Sequence, residues 1–295
     1  MNIIKYRNWF FALSLAIITP GILALYAWQL KLGIDFAGGT LWEVKFSQEN
    51  VIPKDLQDYL VKNGEEVSQV VKTDKNTILA RLKAADEAKI KEIKEKVTAN
   101  FGGYEEVRLE TVGPVISKEL TNKAALAVGV SLLGIVLYVT WAFRKVPKPT
   151  SSIAFGVCTI VALVHDVIVV VGVFAILGHF FGVEVDSLFI TALLTVLGFS
   201  VHDTIVVFDR IRENLKRHSN FSFEEIVNHS LSQTIGRSLN TSLTVVFVLL
   251  ALLLFGGESI KTFVLALLIG VVVGTYSSIF NAAPLLVVWQ KLKKK

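Results

Sequence analysis

GFSVHDTIVVFDRIREN, residues 198 to 214, sets a single carboxylate, Asp203, inside a stretch that otherwise reads as a membrane-crossing helix. Apolar residues from Leu188 to Val201 precede it, Ile205 to Phe208 follow, and the chain turns frankly polar only at Asp209 and Arg210. A charged group at such depth costs at least ~2.5 kcal/mol on insertion scales, so an intramembrane acid marks a functional site by default. Asp203 lies seven residues before Arg210, roughly 10 Å at 1.5 Å per helical residue.

Outward from this segment the chain keeps a membrane composition: 295 residues, 53% hydrophobic and 19% charged, unlike an ordinary soluble domain. Six stretches are long enough, at roughly 17 to 25 residues, to cross a hydrocarbon core; they are expected near 9–30, 124–143, 152–178, 187–208, 239–256 and 262–289. Lys5 and Arg7 precede the first, Arg144, Lys145 and Lys148 lie between the second and third, Arg210, Arg212, Lys216 and Arg217 follow the fourth, and Lys291 and Lys293 follow the sixth. The opposite loops are nearly free of Lys and Arg, so both termini are expected to be cytoplasmic. The first stretch lacks a small-x-small cleavage site and exceeds a signal-peptide core of roughly 7 to 15 residues, which argues for a retained helix. Its Pro20-Gly21 pair is a candidate kink.

The net charge of +5 is scattered in short clusters beside apolar runs, which suits membrane topology and excludes a nucleic-acid patch. The single cysteine, Cys158, has no intrachain disulfide partner and reads as a small buried residue. Between the first two helices, residues 31–120 form the one soluble part, expected outside the membrane on the side away from the termini. GTLWEVKFS (39–47) alternates like a strand, Pro53 to Asn63 opens with a helix-start proline, and EVSQVVKT (66–73) is a second strand. A tight Asp74-Lys75-Asn76 connection leads to NTILARLKA, Ala85 to Phe101 is an amphipathic helix with a solvated Lys/Glu face, and YEEVRLETV (104–112) closes the unit. The order βαββαβ is the ferredoxin-like arrangement. No nucleophile–base pair occurs there, so a binding or mechanical role is expected, with no enzymatic activity and no cofactor.

The other unusual polar residues also fall in the membrane part. The third helix carries His165-Asp166, the fourth His202-Asp203 flanked by Ser200 and Thr204, and the fifth opens with Arg237, Asn240, Thr241, Ser242 and Thr244. Arg237 enters at a depth compatible with Asp203, whereas Asp166 lies ~21 Å from the same edge. An Arg beside an Asp in low dielectric holds the acid ionised, and withdrawing it favours proton uptake. Three readings stay open: a structural ion pair with Ser200, Thr204 and Asn240 as interhelical glue, a proton or ion relay through Asp203, Arg237 and Asp166, and a metal site built on the two His-Asp dipeptides. Adjacent helical residues point ~100° apart, which disfavours the third. Gly270 and Gly274 are spaced for close helix packing, and Gly38-Gly39 for a turn.

The blocks GIDFAGGT (33–40), TVGPVISKEL (111–120), ALVHDVIVVVGVF (162–174), GFSVHDTIVVFDRIREN, RSLNTSLT (237–244) and GTYSSIFNAAPLL (274–286) resemble, in order and along nearly the whole chain, the signatures of the SecF branch of the SecD/SecF protein-export family. The resemblance implies an α-helical polytopic membrane protein of six transmembrane helices, half of a resistance-nodulation-division (RND) type transporter fold, with SecD supplying the other half. It further implies a bacterial inner-membrane protein that uses the proton gradient to assist polypeptides emerging from the SecYEG channel, with YajC as a further partner. Carried over residue by residue, the proton path is Asp203 and Arg237, completed by an acid of SecD. The chain has His202 where Asn is usual and Ser238 where Thr is usual; His202 is a group that titrates near neutrality. A small-molecule exporter subunit and a passive assembly scaffold are the alternatives. The first would carry a larger soluble part with a substrate cleft, and the second would tolerate joint neutralisation of Asp203 and Arg237.

Overall fold

The structure, a computed structural model, describes residues 3–48, 51–73, 76–218 and 220–294. In chain order the elements are α1 (Arg7–Trp28), α2 (Ile34–Ala37), β1 (Gly39–Phe46), α3 (Pro53–Lys62), β2 (Val67–Lys72), β3 (Ile78–Leu82), α4 (Glu87–Phe101), β4 (Tyr104–Val112) and α5 (Pro114–Ala142). They continue with α6 (Ser152–Phe181), α7 (Ser187–Arg217), α8 (Phe223–Phe255), α9 (Glu258–Ser277), a π-helical turn (Ser278–Ala282) and α10 (Ala283–Lys294). Two compact units result: Leu32–Ala124, and Met1–Lys31 together with Ala125–Lys295.

In the smaller unit the four strands form one antiparallel sheet in the order β2-β3-β1-β4. The crossover partners β1/β2 and β3/β4 are each separated by one strand, as a split βαβ requires, while the hairpin strands β2 and β3 pair directly, and the element order is the one the sequence predicts. The alternation of β1 turns Trp42 and Val44 to one face, where they meet Ile78, Ala80, Leu82 and the helix residues Leu56, Leu60, Ile93 and Val97. Trp42 is the largest of these side chains and its indole N–H donates to Glu106 Oε2 at 3.1 Å, satisfying its one polar atom. Helix α4 is capped at Asp86, whose side chain accepts from Lys89 N at 2.9 Å. Gly39 sits at φ +134°, and a Cβ there would lie 2.9 Å from Leu82 O, so the second glycine of the pair is fixed by a backbone approach as well as by the turn. Asp74 and Lys75 of the expected tight connection lie outside the described residues.

The larger unit has six helices long and apolar enough to cross a membrane. Half of the apolar window is buried in α6 and in the span from α9 to α10, and 44% in α7, against 6% in α5 and 17% in α1 and α8. The inner helices are therefore α6, α7 and α9, and α6 is apolar around its whole circumference as a buried helix must be. Phe143, Phe155 and Phe208 stack at one end of this interior together with Ile3 and Ile4. Close approach is made possible by glycine. A Cβ on Gly270 of α9 would fall 2.2 Å from Val196 Cγ2 of α7, and one on Gly274 2.9 Å from Ser200 Cβ. A Cβ on Gly172 of α6 would fall 2.5 Å from Gly21 Cα of α1.

Three expectations change. Helices run past the hydropathy limits: α5 starts at Pro114 rather than near 124, α7 continues to Arg217 and α8 begins at Phe223, so most of the expected loop 209–236 is helical. Capping, not polarity, ends these helices: Ser222 and Glu225 make a reciprocal capping box at the start of α8, and Asp186 caps α7 through Phe189 N at 2.9 Å. Helix α1 is unbroken through Pro20, and Gly21 serves as the contact point with Gly172. Finally, the sixth span is interrupted by the π turn at Ser278–Ala282, a distortion that leaves no mark in hydropathy.

Candidate functional site

Asp203 lies on the buried side of α7 and is 5% exposed. Its Oδ1 accepts a hydrogen bond from Ser238 Oγ of α8 at 2.8 Å, while Oδ2 is buried with no hydrogen-bond partner. Ser238 in turn offers its carbonyl to Ser242 Oγ at 2.9 Å, and Ser242 meets Thr275 of α9 hydroxyl to hydroxyl at 2.5 Å. Next to Asp203, Thr204 bonds Ser278 Oγ at 2.8 Å. A hydroxyl ladder therefore ties α7, α8 and α9 around the acid.

Asp166 is fully buried on α6 and has both oxygens engaged. Oδ2 accepts from Ser200 Oγ of α7 at 2.6 Å and from Ser277 Oγ of α9 at 2.8 Å, and Oδ1 lies 2.9 Å from His165 Nδ1. The adjacent His165 and Asp166 thus converge, where an ideal helix sets them apart. His165 is 7% exposed, and its Nε2 is buried without a hydrogen-bond partner. Among the described residues no three His, Cys, Asp or Glu side chains come close enough to hold a metal ion.

The expected groupings are redrawn in three respects. No ion pair joins Arg237 to Asp203 among the described residues; Asp203 bonds instead to Ser238, the residue after Arg237. Arg237 is exposed, as are Asn240, Thr241 and Thr244, and together they form one polar stripe along the outer face of α8. Ser200, expected beside Asp203, serves Asp166, and His202 faces outward. Asp166 is fourteen residues after the start of α6 at Ser152, and Asp203 fourteen before the end of α7 at Arg217, two turns past Arg210. Asp166 bonds Ser200, about one turn from Asp203 on α7.

Ser277, Ser278 and Thr275 are site residues that the sequence reading passed over, and Ser238 was noted there only as a departure from the family pattern. Their signal was present in the blocks RSLNTSLT and GTYSSIFN, where small hydroxyl residues interrupt apolar runs. An isolated serine in a membrane helix usually bonds its own backbone, and only the fold reveals which of them reach across. Between α7 and α8 a cleft of about 450 Å³ opens beside this region, lined by Val206, Arg210, Glu213, Gln233, Thr234 and Arg237 among others. Arg210 bridges it by donating to Gln233 Oε1 at 2.6 Å.

Comparison with known proteins gives one consistent result. The family description "Protein export membrane protein SecD/SecF, C-terminal" matches residues 92–292, and "SecD/SecF GG Motif" matches 29–49. The protein translocase subunit SecF of Thermobaculum terrenum is 50% identical over 98% of this chain and 94% of its own length. The translocase subunit SecDF of Thermus thermophilus is 36% identical over 96% of this chain but only 37% of its own. A crystal structure of SecDF from the same organism, described as a translocon-associated membrane protein, superposes with a TM-score of 0.84 at 35% identity, covering 99% of this chain and 39% of that one. The chain thus spans about two fifths of the longer SecDF chains and nearly all of the SecF relative. On the family description matched over two thirds of its length and on half-identity to a near-full-length relative, the chain belongs to the SecD/SecF family of protein export membrane proteins.

Proposed function

We propose that this export subunit works as one half of a proton-driven device whose other half is a SecD partner, and that Asp203 exchanges the proton at the seam between them. The observation that carries the proposal is the half-satisfied acid: Asp203 has one buried oxygen bonded to Ser238 and one with no partner. Beside Ser238 the α8 stripe of Arg237, Asn240, Thr241 and Thr244 is exposed within a membrane span. Polar groups exposed to lipid are costly, and such stripes face a bundle interior or a protein neighbour. The length relation to SecDF relatives, which carry about two and a half times this chain in one polypeptide, supports a partner of the SecD kind. Asp166, with both oxygens engaged inside the chain, reads as fixed in place.

In this reading the protein lies in the bacterial inner membrane with both termini cytoplasmic and the soluble unit periplasmic. It acts with the SecYEG channel, and with YajC, on the emerging polypeptide. It is a transport subunit and not an enzyme, and it takes no cofactor. Protonation of Asp203 weakens its attraction to Arg237 and shifts the helices, which moves the soluble unit through its connections to α1 and α5. One charge crossing 100 mV carries ~2.3 kcal/mol, enough to bias a conformational equilibrium about fiftyfold.

Asp203→Asn, assembled with its partner in vesicles, is expected to abolish gradient-dependent stimulation of export while leaving the ATP-driven step. Full stimulation in that variant would defeat the proposal. The double variant Asp203→Asn with Arg237→Gln separates engine from scaffold, because a scaffold keeps its stimulation when both charges are gone.

A further inference from the structure

Three residues of α9 and the turn that follows it, Thr275, Ser277 and Ser278, reach three other helices. Thr275 meets Ser242 of α8, whose neighbour one turn back, Ser238, donates to Asp203. Ser278 meets Thr204 of α7, next to Asp203, at 2.8 Å and donates to Ser200 O at 3.2 Å. Between them, Ser277 donates to Asp166 of α6 at 2.8 Å, and the same Asp166 oxygen takes Ser200 Oγ at 2.6 Å. Asp166 therefore grips α7 and α9 at once, and Thr275 and Ser278 carry hydroxyls to the ladder on both sides of Asp203.

The local backbone suits a moving part. At Gly270 and Gly274 α9 contributes no side chain, and Val196 and Ser200 of α7 pack directly against its backbone. Immediately after Ser277 the chain enters the π turn Ser278–Ala282, a distortion of the helical ladder found mostly at functional sites. A slide of α9 by a fraction of a residue would change the Thr275 and Ser278 contacts together, and it is opposed by the Ser277 bond to Asp166 of α6 and by the Tyr276 hydroxyl, which donates to Phe10 O of α1 at 2.8 Å.

We infer that Asp166 is a positioning residue for Asp203: through Ser277 and Ser200 it sets the register of α9 against α7, and that register presents Ser238 and Thr204 to the exchanging acid. The charged and titratable groups around Asp166 are His165 on its own helix and Tyr276 on α9, whose ring lies 6.3 Å from that of His165. The inference rests on the reading of Asp203 as the proton-exchanging group, and its test can fail separately.

Ser277→Ala removes one donor to Asp166 without touching Asp203, Arg237 or the ladder itself. A hydrogen bond to a charged group changes an equilibrium by about tenfold or more. A tenfold change corresponds to ~60 mV at ~2.3 kcal/mol per 100 mV. In vesicles holding the complex with its partner, the gradient giving half-maximal stimulation is expected to shift by about that amount, with the ATP-driven step unchanged. The infrared carboxyl band that disappears in Asp203→Asn is expected to move in Ser277→Ala, which a merely structural Ser277 would not cause. An unmoved midpoint and an unmoved band overturn the inference, even where Asp203→Asn abolishes stimulation. Retained stimulation in Asp203→Asn overturns the underlying reading first. Should Ser277→Ala fail to assemble, Ser200→Ala removes the other donor and is read the same way; failure of both to assemble assigns Asp166 to folding alone and overturns the inference as well.

Discussion

Replacing Gly270 with alanine places one methyl group between α9 and α7, and the structure sets its consequence. The new Cβ would stand 2.2 Å and 2.6 Å from the two γ carbons of Val196 and 2.9 Å from its Cβ. Carbon atoms rest at ~3.5–4.0 Å, so the deficit is more than an ångström. Rotating Val196 about χ1 moves the γ carbons but leaves the Cβ, and valine in a helix has one strongly preferred rotamer. The helices must therefore part. One turn along α7 and two along α9, Ser200 and Ser277 hold Asp166 at 2.6 Å and 2.8 Å, and a separation of an ångström stretches such bonds to the limit of hydrogen bonding. Overpacking contributes ~1–3 kcal/mol of destabilisation and a strained hydrogen bond about 1 more, against ~1 gained from helix propensity. A net loss of about 2 kcal/mol is expected in denaturant unfolding of the detergent-solubilised protein. Gly129→Ala and Gly134→Ala are the controls, since nothing lies within 4 Å of a Cβ at either site; they gain up to ~1 kcal/mol. Adding Val196→Ala removes both γ carbons and should restore part of the loss, since its Cβ stays 2.9 Å from the new methyl group. Gly270→Ala as stable as Gly134→Ala would refute the reasoning.

Ser238→Ala deprives the Asp203 carboxylate of its one hydrogen bond among the described residues; gradient-dependent stimulation should fall, and Ser238→Thr, which keeps the hydroxyl, should retain it. Trp42→Ala empties the largest buried position of the soluble unit and is expected to destabilise that unit by ~3–5 kcal/mol, read by chemical denaturation. Burial pushes the Tyr104 phenol up from its ordinary value, against a hydrogen bond with Thr98. Its neutral form is thus favoured in the fold, so the associated stability is complete below about pH 10 and is lost as pH rises through and beyond that point. Tyr104→Phe should flatten this alkaline limb in unfolding curves, and an unchanged limb would show that another group causes it.

The fold was legible where chemistry is periodic. Apolar runs located all six spans, and the alternation in GTLWEVKFS and YEEVRLETV gave β1 and β4 to within a residue. Ends were misjudged because Arg210 to Arg217 and Phe223 to Gly236 are helical beyond the apolar runs, and the start of α8 is marked only by its Ser222 cap. The acids Asp166 and Asp203 were legible as anomalies in apolar sequence. Their partners were not, because a serine reveals nothing of which helix it will face. Arg237 shows the limit most clearly: sequence reasoning paired the nearest opposite charges, whereas the fold sets Ser238 toward Asp203 and Arg237 on the outer face.

The two buried acids differ in a way that decides their roles. An unpartnered polar group in the interior costs ~1–3 kcal/mol and more when charged, so a chain sufficient in itself would engage both carboxyls. It engages Asp166 completely, with two serines and a histidine. It leaves Asp203 with a free buried oxygen, although hydroxyl residues are plentiful on the same helices. Suitable donors are thus at hand and are spent on the ladder around Asp203 rather than on Oδ2. A fully bonded carboxyl resists gaining or losing a proton because each change breaks a bond, whereas one with an open oxygen can accept a proton or a donor from outside with little rearrangement. On the proposed function, this difference in hydrogen bonding suits α6 to rigidity and α7 to exchange, with α9, which touches both, as the element linking them.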